Sequence, residues 1–229
     1  MGQKINPKGF RIGPLFTWTS RWYANKRDYQ ALLLYDIKLR EALFLKLKTA
    51  GLAQVEIERS INKMKVTLHV SRPGMVIGRG GSGLEDIKKY VTGFLKARQI
   101  PKNPYDVHAD EQVKTVGRTK VEVAVEPVKE PNLNAYLVAQ NISDQIIKRI
   151  PHKRVCHQTI DRVISSGAVG VRIVLAGRIN GAEIARREKF QAGTVPLSTI
   201  RESVDFASVP ALTKSGYVGV KVWICKKTT

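Results

Sequence analysis

The chain has 229 residues, and its 39 Lys and Arg against 19 Asp and Glu give a formal net charge of +20. So large an excess indicates a polyanionic partner, because without such a partner the like charges of the folded chain would repel one another. No apolar run approaches the roughly 20 residues of a membrane-spanning helix, and the N-terminus lacks the apolar core of a signal peptide. The composition therefore argues against a membrane or secreted protein and favours a cytosolic nucleic-acid-binding protein.

The cysteines and histidines do not have the spacing of a chemical site. Only Cys156 and Cys225 occur, far apart, beside four histidines, which offers neither a disulfide framework nor a four-ligand metal site. We expect two buried reduced thiols, no metal, no cofactor and no catalytic residue.

Residues 1–27 are predicted to be a basic, irregular N-terminal arm, since several Gly and Pro interrupt any helix. Trp18, Trp22 and Tyr23 interleave with its cations. An aromatic side chain in this setting either stacks on a base or anchors the arm to the protein core. We favour anchoring, because stacking on RNA needs exposure.

A helix and a hairpin are predicted to follow the arm. Asp36 precedes an apolar pattern that ends at Gly51, which predicts a helix capped by this Asp. Residues 54–58 and 64–70 alternate apolar and polar side chains, the period of half-buried strands.

A glycine-rich loop follows the second strand. Gly78-Arg79-Gly80-Gly81 directly precedes a helical pattern that extends to about Arg98. Glycines let a short turn bring its backbone amides close to a nucleic-acid backbone, and a helix N-terminus adds free N–H groups. This is the GxxG pattern of a KH domain. The residues predicted to bind RNA here are Ile77, Gly78, Arg79, Gly80, Gly81, Lys88 and Lys89.

Two other glycine-rich phosphate loops fit less well. A P-loop would end in Gly-Lys-Ser/Thr, and a dinucleotide-binding loop would need a third glycine at or beyond Leu84. Residues 120–126 then alternate as a strand. Helix, two strands, GxxG, helix and strand is the order of a type II KH domain, which we assign to residues 28–128.

Residues 129–229 are predicted to form a second α+β domain with helices on a small sheet. Apolar periodicity predicts one helix from Leu133 to near Pro151 and another from His152 to Gly167. Strands are predicted at 169–175, 194–200 and 217–224.

Several motifs in this order resemble one family. They are Met-Gly-Gln-Lys-Ile-Asn-Pro-Lys-Gly-Phe-Arg at the N-terminus, Arg-Pro-Gly-Met-Val-Ile-Gly at 72–78, Ala-Gly-Arg-Ile-Asn-Gly-Ala-Glu-Ile-Ala-Arg at 176–186, Val-Pro-Leu at 195–197 and Gly-Val-Lys-Val-Trp-Ile at 219–224. Together they resemble the S-three family of small-subunit ribosomal proteins, of bacterial or organellar type. The resemblance implies a non-enzymatic protein of the small-subunit head, in the cytoplasm or in an organellar matrix or stroma. Its implied partners are ribosomal RNA, mRNA and neighbouring head proteins, without a small-molecule substrate.

The resemblance also implies which cations line the path by which mRNA enters the subunit. The matching positions are Lys153, Arg154 and His157, and the histidine replaces the usual lysine. Because histidine is mostly neutral at pH 7, the third contact is expected to be weaker.

A third group of cations is predicted to bind ribosomal RNA. Arg178, Arg186 and Arg187 surround Gly177 and Gly181, so we expect one flexible loop that presents three guanidinium groups to phosphate. In the arm, Lys4, Lys8 and Arg11 are predicted to do the same.

Two other functions stay open on the sequence alone. A free KH-type regulator would be expected to repeat the KH unit or to append a GTPase, and a nuclease would need clustered carboxylates or metal ligands. Residues 97–120 form a longer connection than the family usually has, and we interpret them as a surface loop.

Overall fold

The computed structural model describes residues 4–60, 63–96 and 120–227. Its helices and strands are, in chain order, α1 (Pro7–Phe10), β1 (Ser20–Arg21), α2 (Lys26–Lys46), β2 (Leu52–Ser60), β3 (Lys63–Val70), α3 (Pro73–Ile77), α4 (Ser82–Lys96), β4 (Lys120–Pro127), α5 (Ala135–Ile147), α6 (His152–Ser165), β5 (Ala168–Gly177), β6 (Arg186–Gly193), β7 (Val204–Thr213) and β8 (Gly216–Lys226).

The chain forms two compact units, and both combine helices with a sheet. The first unit is Trp18–Lys129, and the second joins Met1–Thr17 to Glu130–Thr229. The predicted α+β class is therefore confirmed. The predicted arm of residues 1–27 is not independent: its beginning belongs to the second unit, and its end belongs to the first. In the described residues, no helix is both long and apolar enough to span a membrane.

The first unit has a four-stranded sheet in the order β1-β2-β3-β4. β2 and β3 form the predicted antiparallel hairpin, and β4 lies parallel to β3. Side chains of α2 and α4, among them Leu39, Leu43 and Val91, are buried with Ile57 and Val66 of the sheet. The element order is the one predicted for a type II KH domain.

The predicted start of the first long helix was wrong. α2 begins at Lys26 rather than after Asp36, and Asp36 is completely buried in its middle. The carboxylate accepts a hydrogen bond from Trp22 Nε1 at 2.8 Å and is ion-paired with the guanidinium of Arg59 on β2. Asp36 resembled a cap because it precedes an apolar run, but its partners come from elsewhere in the unit.

The aromatic side chains near residue 20 differ in their environment. Trp22 is anchored by Asp36 and lies 5.3 Å from the ring of Tyr29, between ring centroids. Trp18 and Tyr23 are 66% and 91% exposed, so the expectation that they anchor the arm was wrong.

The second unit has an antiparallel sheet in the order β6-β5-β8-β7, with α5 and α6 packed against one of its faces. The predicted strands at 169–175 and 217–224 are confirmed as β5 and β8. The strand predicted at 194–200 was wrong, because those residues lie between β6 and β7 without regular structure. β6 and β7 were not predicted.

Arg11 explains this irregular stretch. The side chain is fully buried, and its guanidinium donates hydrogen bonds of 2.7–3.2 Å to the backbone carbonyl oxygens of Pro7, Pro196, Leu197, Thr199 and Glu202. These carbonyl groups are satisfied by one side chain instead of a neighbouring strand. The expectation that Arg11 contacts ribosomal RNA is therefore wrong: its donors are used inside the protein.

A second contact holds the same part of the chain. Lys8 Nζ lies 2.8 Å from Oδ1 of Asp205, whose side chain is nearly fully buried. The other oxygen of Asp205 accepts from the backbone N–H of Ala135 at 2.9 Å, at the start of α5. Residues 4–17 are therefore a structural part of the second unit.

We predict that Arg11→Ala lowers the free energy of unfolding of the second unit by roughly 3–5 kcal/mol, because several buried carbonyl groups lose a charged donor together. Arg11→Lys should fall between the wild type and Arg11→Ala, since an ammonium offers three donors. Hydrogen exchange read by mass spectrometry should show faster exchange in residues 194–203 and no change in β2 and β3. Unchanged protection of 194–203 would refute this account.

We also predict that Asp36→Ala destabilises the first unit by roughly 3–5 kcal/mol, because it leaves the Arg59 guanidinium buried without a counter-ion. Glu58→Gln is the matched control: Glu58 pairs with Arg21 at 3.2 Å, but both side chains are well exposed, and such pairs contribute about 1 kcal/mol or less. Urea unfolding curves of the three proteins provide the comparison. Equal losses of unfolding free energy for Asp36→Ala and Glu58→Gln would contradict the prediction.

Candidate nucleic-acid interface

The glycine-rich loop joins α3 to α4 and is exposed at its tip. Gly78, Gly80 and Gly81 have φ values of 71°, 62° and 82°, a region that residues with a Cβ rarely adopt. A Cβ would meet no atom within 4 Å at Gly80 or Gly81. The conformation, rather than crowding, requires glycine here, and the backbone is open to a ligand.

Gly83 has a different role in the first turn of α4. A Cβ at this position would lie 2.4 Å from the carbonyl oxygen of Val76, which no real side chain tolerates. α3 and α4 therefore pack backbone against backbone on either side of the loop. This contact sets the geometry in which Arg79 is presented at the exposed tip.

A cleft of about 320 Å³ lies between α4 and β4. Its lining is part apolar and part charged: Lys65, Leu84, Glu85, Lys88, Glu122, Val123 and Ala124. A hydrogen bond from Lys63 lowers the pKa of Glu122 from its ordinary value. Of the two predicted lysines of α4, Lys88 lines the cleft, whereas Lys89 is exposed outside it. Ile77 is partly exposed beside the loop.

This arrangement suits a single strand of nucleic acid. Loop amides can face a phosphate, Arg79 and Lys88 supply positive charge, and the apolar floor can take the face of a base.

The second cluster lies at the start of α6 in the second unit. Lys153, Arg154 and His157 are all exposed, and their spacing puts them on one side of the helix. Val155 and Cys156 lie on the buried side. Burial raises the pKa of the Cys156 thiol to about 12, as expected for a structural cysteine.

His152 fixes this end of α6. Its ring is almost fully buried, with Nε2 2.8 Å from a carboxylate oxygen of Glu188 on β6 and Nδ1 3.1 Å from Oδ1 of Asn180. The ring of His157 is held edge-on against Phe190 of β6, at a centroid distance of 5.6 Å. Lys153 and Arg154 therefore project from a rigid base. Sequence reasoning missed the role of His152, since a histidine at a helix start has no distinguishing pattern.

The three arginines expected on one loop are in different places. Arg178 is on the loop after β5, where its Nε donates to the carbonyl of Ala182 at 2.8 Å. Arg186 and Arg187 instead begin β6, and strand alternation sends them to opposite faces of the sheet. Arg186 pairs with Glu188 at 2.9 Å. The expectation of a shared flexible loop was wrong, because the edge strand starts earlier than its charged sequence suggests.

In the arm, Lys4 is exposed, whereas Lys8 is held by Asp205 and Arg11 is internal. Within residues 4–60, 63–96 and 120–227, no group of three or more His, Cys, Asp or Glu side chains is arranged to hold a metal ion.

Comparison with known proteins identifies similar chains over nearly the full length. The family described as "Ribosomal protein S3, C-terminal domain" matches residues 142–224, and "KH domain" matches residues 38–133. The "Small ribosomal subunit protein uS3" of Desulforamulus reducens is 41% identical over 226 residues, which are 99% of this chain and 92% of the relative. The proteins of the same description from Vesicomyosocius okutanii and Clostridium acetobutylicum are 42% and 39% identical, covering 99% and 98% of this chain and 89% and 91% of the relatives.

Proposed function

The chain belongs to the small ribosomal subunit protein uS3 family, and on this premise we propose that it binds ribosomal RNA in the subunit head and helps to form the path by which mRNA enters. Its further proposed partners are the neighbouring head proteins. The observation that carries the mRNA role is the exposed pair Lys153 and Arg154 at the start of α6.

A moving strand needs contacts of a particular kind. Phosphates are the same in every mRNA, so cations that read no base can hold any sequence without stopping it. Lys153 and Arg154 have this character, and the buried bonds of His152 keep their helix in place while mRNA passes. His157 lies beside them with its ring edge-on against Phe190, and we propose it as the weaker contact.

The loop of the first unit is proposed to hold RNA by a different means. The backbone at Gly80 and Gly81 is open, so a nucleic-acid strand can approach it closely, and the nearby cleft has an apolar floor. This combination favours a splayed single strand over a double helix, whose bases stay stacked.

We predict that Lys153→Ala/Arg154→Ala enters small subunits normally but weakens their grip on mRNA extending beyond the subunit's entrance side. Because each lost contact with a single strand lowers the log–log salt slope by roughly 0.7, the slope should fall by about 1.4. Translation of an mRNA with a stable hairpin should slow more than that of an unstructured one. Sedimentation of reconstituted subunits checks incorporation.

Arg154→Ala and Arg162→Ala form the matched single-site comparison, since Arg162 is an exposed cation on the same helix. Arg154→Ala should reproduce part of the defect, and Arg162→Ala should not. Failed incorporation of the double variant, or equal defects for the two single variants, would refute a specific role in mRNA handling.

For the glycine-rich loop, we predict that Arg79→Asp lowers the affinity of the purified full chain for single-stranded RNA by at least tenfold in low salt, since it replaces an attraction to phosphate by a repulsion. Lys26→Asp makes the same charge change at an exposed position of α2 in the same unit and should have a smaller effect. Fluorescence anisotropy with a labelled oligouridylate measures both. An unchanged affinity for Arg79→Asp would exclude the loop as a contact.

A further inference from the structure

The strand register gathers cations onto the sheet face opposite α5 and α6. Lys189 of β6 pairs with Val174 of β5, which pairs with Lys221 of β8. Two residues further along β5 from Val174, Ala176 pairs with Arg187 of β6. Two residues before Val174, Arg172 pairs with Gln191 of β6. Residues paired in this way point to the same side of a sheet. We call this side of the second unit's sheet the open face.

The charged side chains that the described strands direct to the open face are all cationic. Arg187, Lys189 and Lys221 are exposed, and Arg172 is partly buried with its Nε 3.1 Å from the side-chain oxygen of Gln191. Among the described residues of the four strands, those directed to this face include no Asp or Glu. Glu188 and Asp205 are directed to the side of the helices, where they bind His152 and Lys8. The cations of the open face are therefore available to an anionic partner.

In the part of the chain that the structure describes, the unit itself covers one end of the open face. Trp223, Cys225 and Val204 pack there against Val195, with Leu197 beside them. These last two residues belong to the stretch that Arg11 holds in place. Val174, which lies between Lys189 and Lys221, is buried in the same cluster. In the next cross-strand row, Ala176 and Gly219 separate Arg187 of β6 from Pro210 of β7.

The uncovered part combines a flat floor with an aromatic side chain. Ala176, Gly219, Ser208 and Pro210 occupy its centre, and Ala176, Ser208 and Pro210 are exposed. At its edge, Tyr217 and Leu212 are paired across β8 and β7 and are 67% and 58% exposed. A backbone of phosphates can approach the small residues closely, and an exposed tyrosine ring is a platform on which a base can stack.

We propose that the open face is an RNA-binding surface, in which Arg187, Lys189 and Lys221 take the phosphate backbone and Tyr217 stacks on an unpaired base. This inference rests on the proposed function in a ribosomal subunit, and it adds a binding site separate from the cluster on α6. RNA is favoured over an acidic protein because the exposed cations lie beside the small residues Ala176 and Gly219 and on the same face as the exposed ring of Tyr217. Sheet surfaces that bind single strands combine positive charge with exposed aromatic rings in this way.

The test compares full-length Lys189→Gln/Lys221→Gln with the matched control Lys148→Gln/Lys214→Gln, which removes two exposed lysines of the same unit outside the open face. The probe is a transcript of the head domain of small-subunit ribosomal RNA, titrated at several salt concentrations. The open-face variant should lose about 1.4 to 1.8 units of log–log salt slope, with the lower value for single-stranded contacts. The control should lose less than one unit.

Tyr217→Ala is a second test, which removes the proposed stacking contact without changing the charge of the protein. It should weaken binding to the same transcript roughly tenfold at every salt concentration while leaving the slope unchanged, because stacking involves no ion release. Equal slopes for the open-face variant and its control would overturn the inference. The inference would also be overturned if the open-face variant, in reconstituted subunits, lost a crosslink to a neighbouring head protein while its binding to RNA was unaltered.

Failure of the wider proposal would look different. If the wild-type chain does not cosediment with small subunits, the ribosomal function itself fails. If the wild-type chain cosediments and only the salt slopes are equal, the open face alone is excluded.

Discussion

The hydrogen bonds of Arg11 determine how the second unit is built. One buried guanidinium binds carbonyl oxygens from α1 and from the stretch between β6 and β7, and this takes the place of a strand ladder. The contact makes residues 4–17 part of the unit and lays Val195 and Leu197 over one end of the sheet. Arg187, Lys189 and Lys221 of that face stay exposed. The buried side chain of Arg11 thus positions the segment that covers one end of the sheet, and the cations beyond that segment remain exposed to solvent.

The same division of charge occurs elsewhere in the chain. Arg59 is paired with buried Asp36, and Lys8 is paired with buried Asp205. A buried charge is tolerated only with such partners, since desolvation of an unpaired ion is very costly. Arg79, Lys153 and Lys189 are different, because their side chains are exposed and a charge in water needs no partner within the protein. The cations behind the net charge of +20 therefore include members of internal ion pairs and exposed side chains that we propose contact RNA.

Much of the fold was predictable because local pattern and tertiary environment agree. The hairpin, β4, α5 and α6 all have a clear period, and the glycines of the loop announce a backbone that needs positive φ. Predictions failed where a distant residue decides the local structure. Asp36 is a core acceptor for Arg59, Arg11 satisfies carbonyls more than 180 residues away, and β6 begins with charged residues because it is an edge strand. The cations of the open face could not be grouped before the register of β5, β6 and β8 was known.

The central claim is that exposed cations contact RNA while buried ones hold the fold, and lysine acetylation tests it most directly. Free chain and reconstituted small subunits, with and without mRNA, would be treated with an amine-reactive reagent and compared by mass spectrometry. The account predicts protection of Lys189 and Lys221 in subunits without mRNA, and of Lys153 only after mRNA is added. Lys8, ion-paired with buried Asp205, should be labelled to the same extent in the free chain and in subunits. Undiminished labelling of Lys189 and Lys221 in subunits, or protection of Lys153 without mRNA, would contradict it.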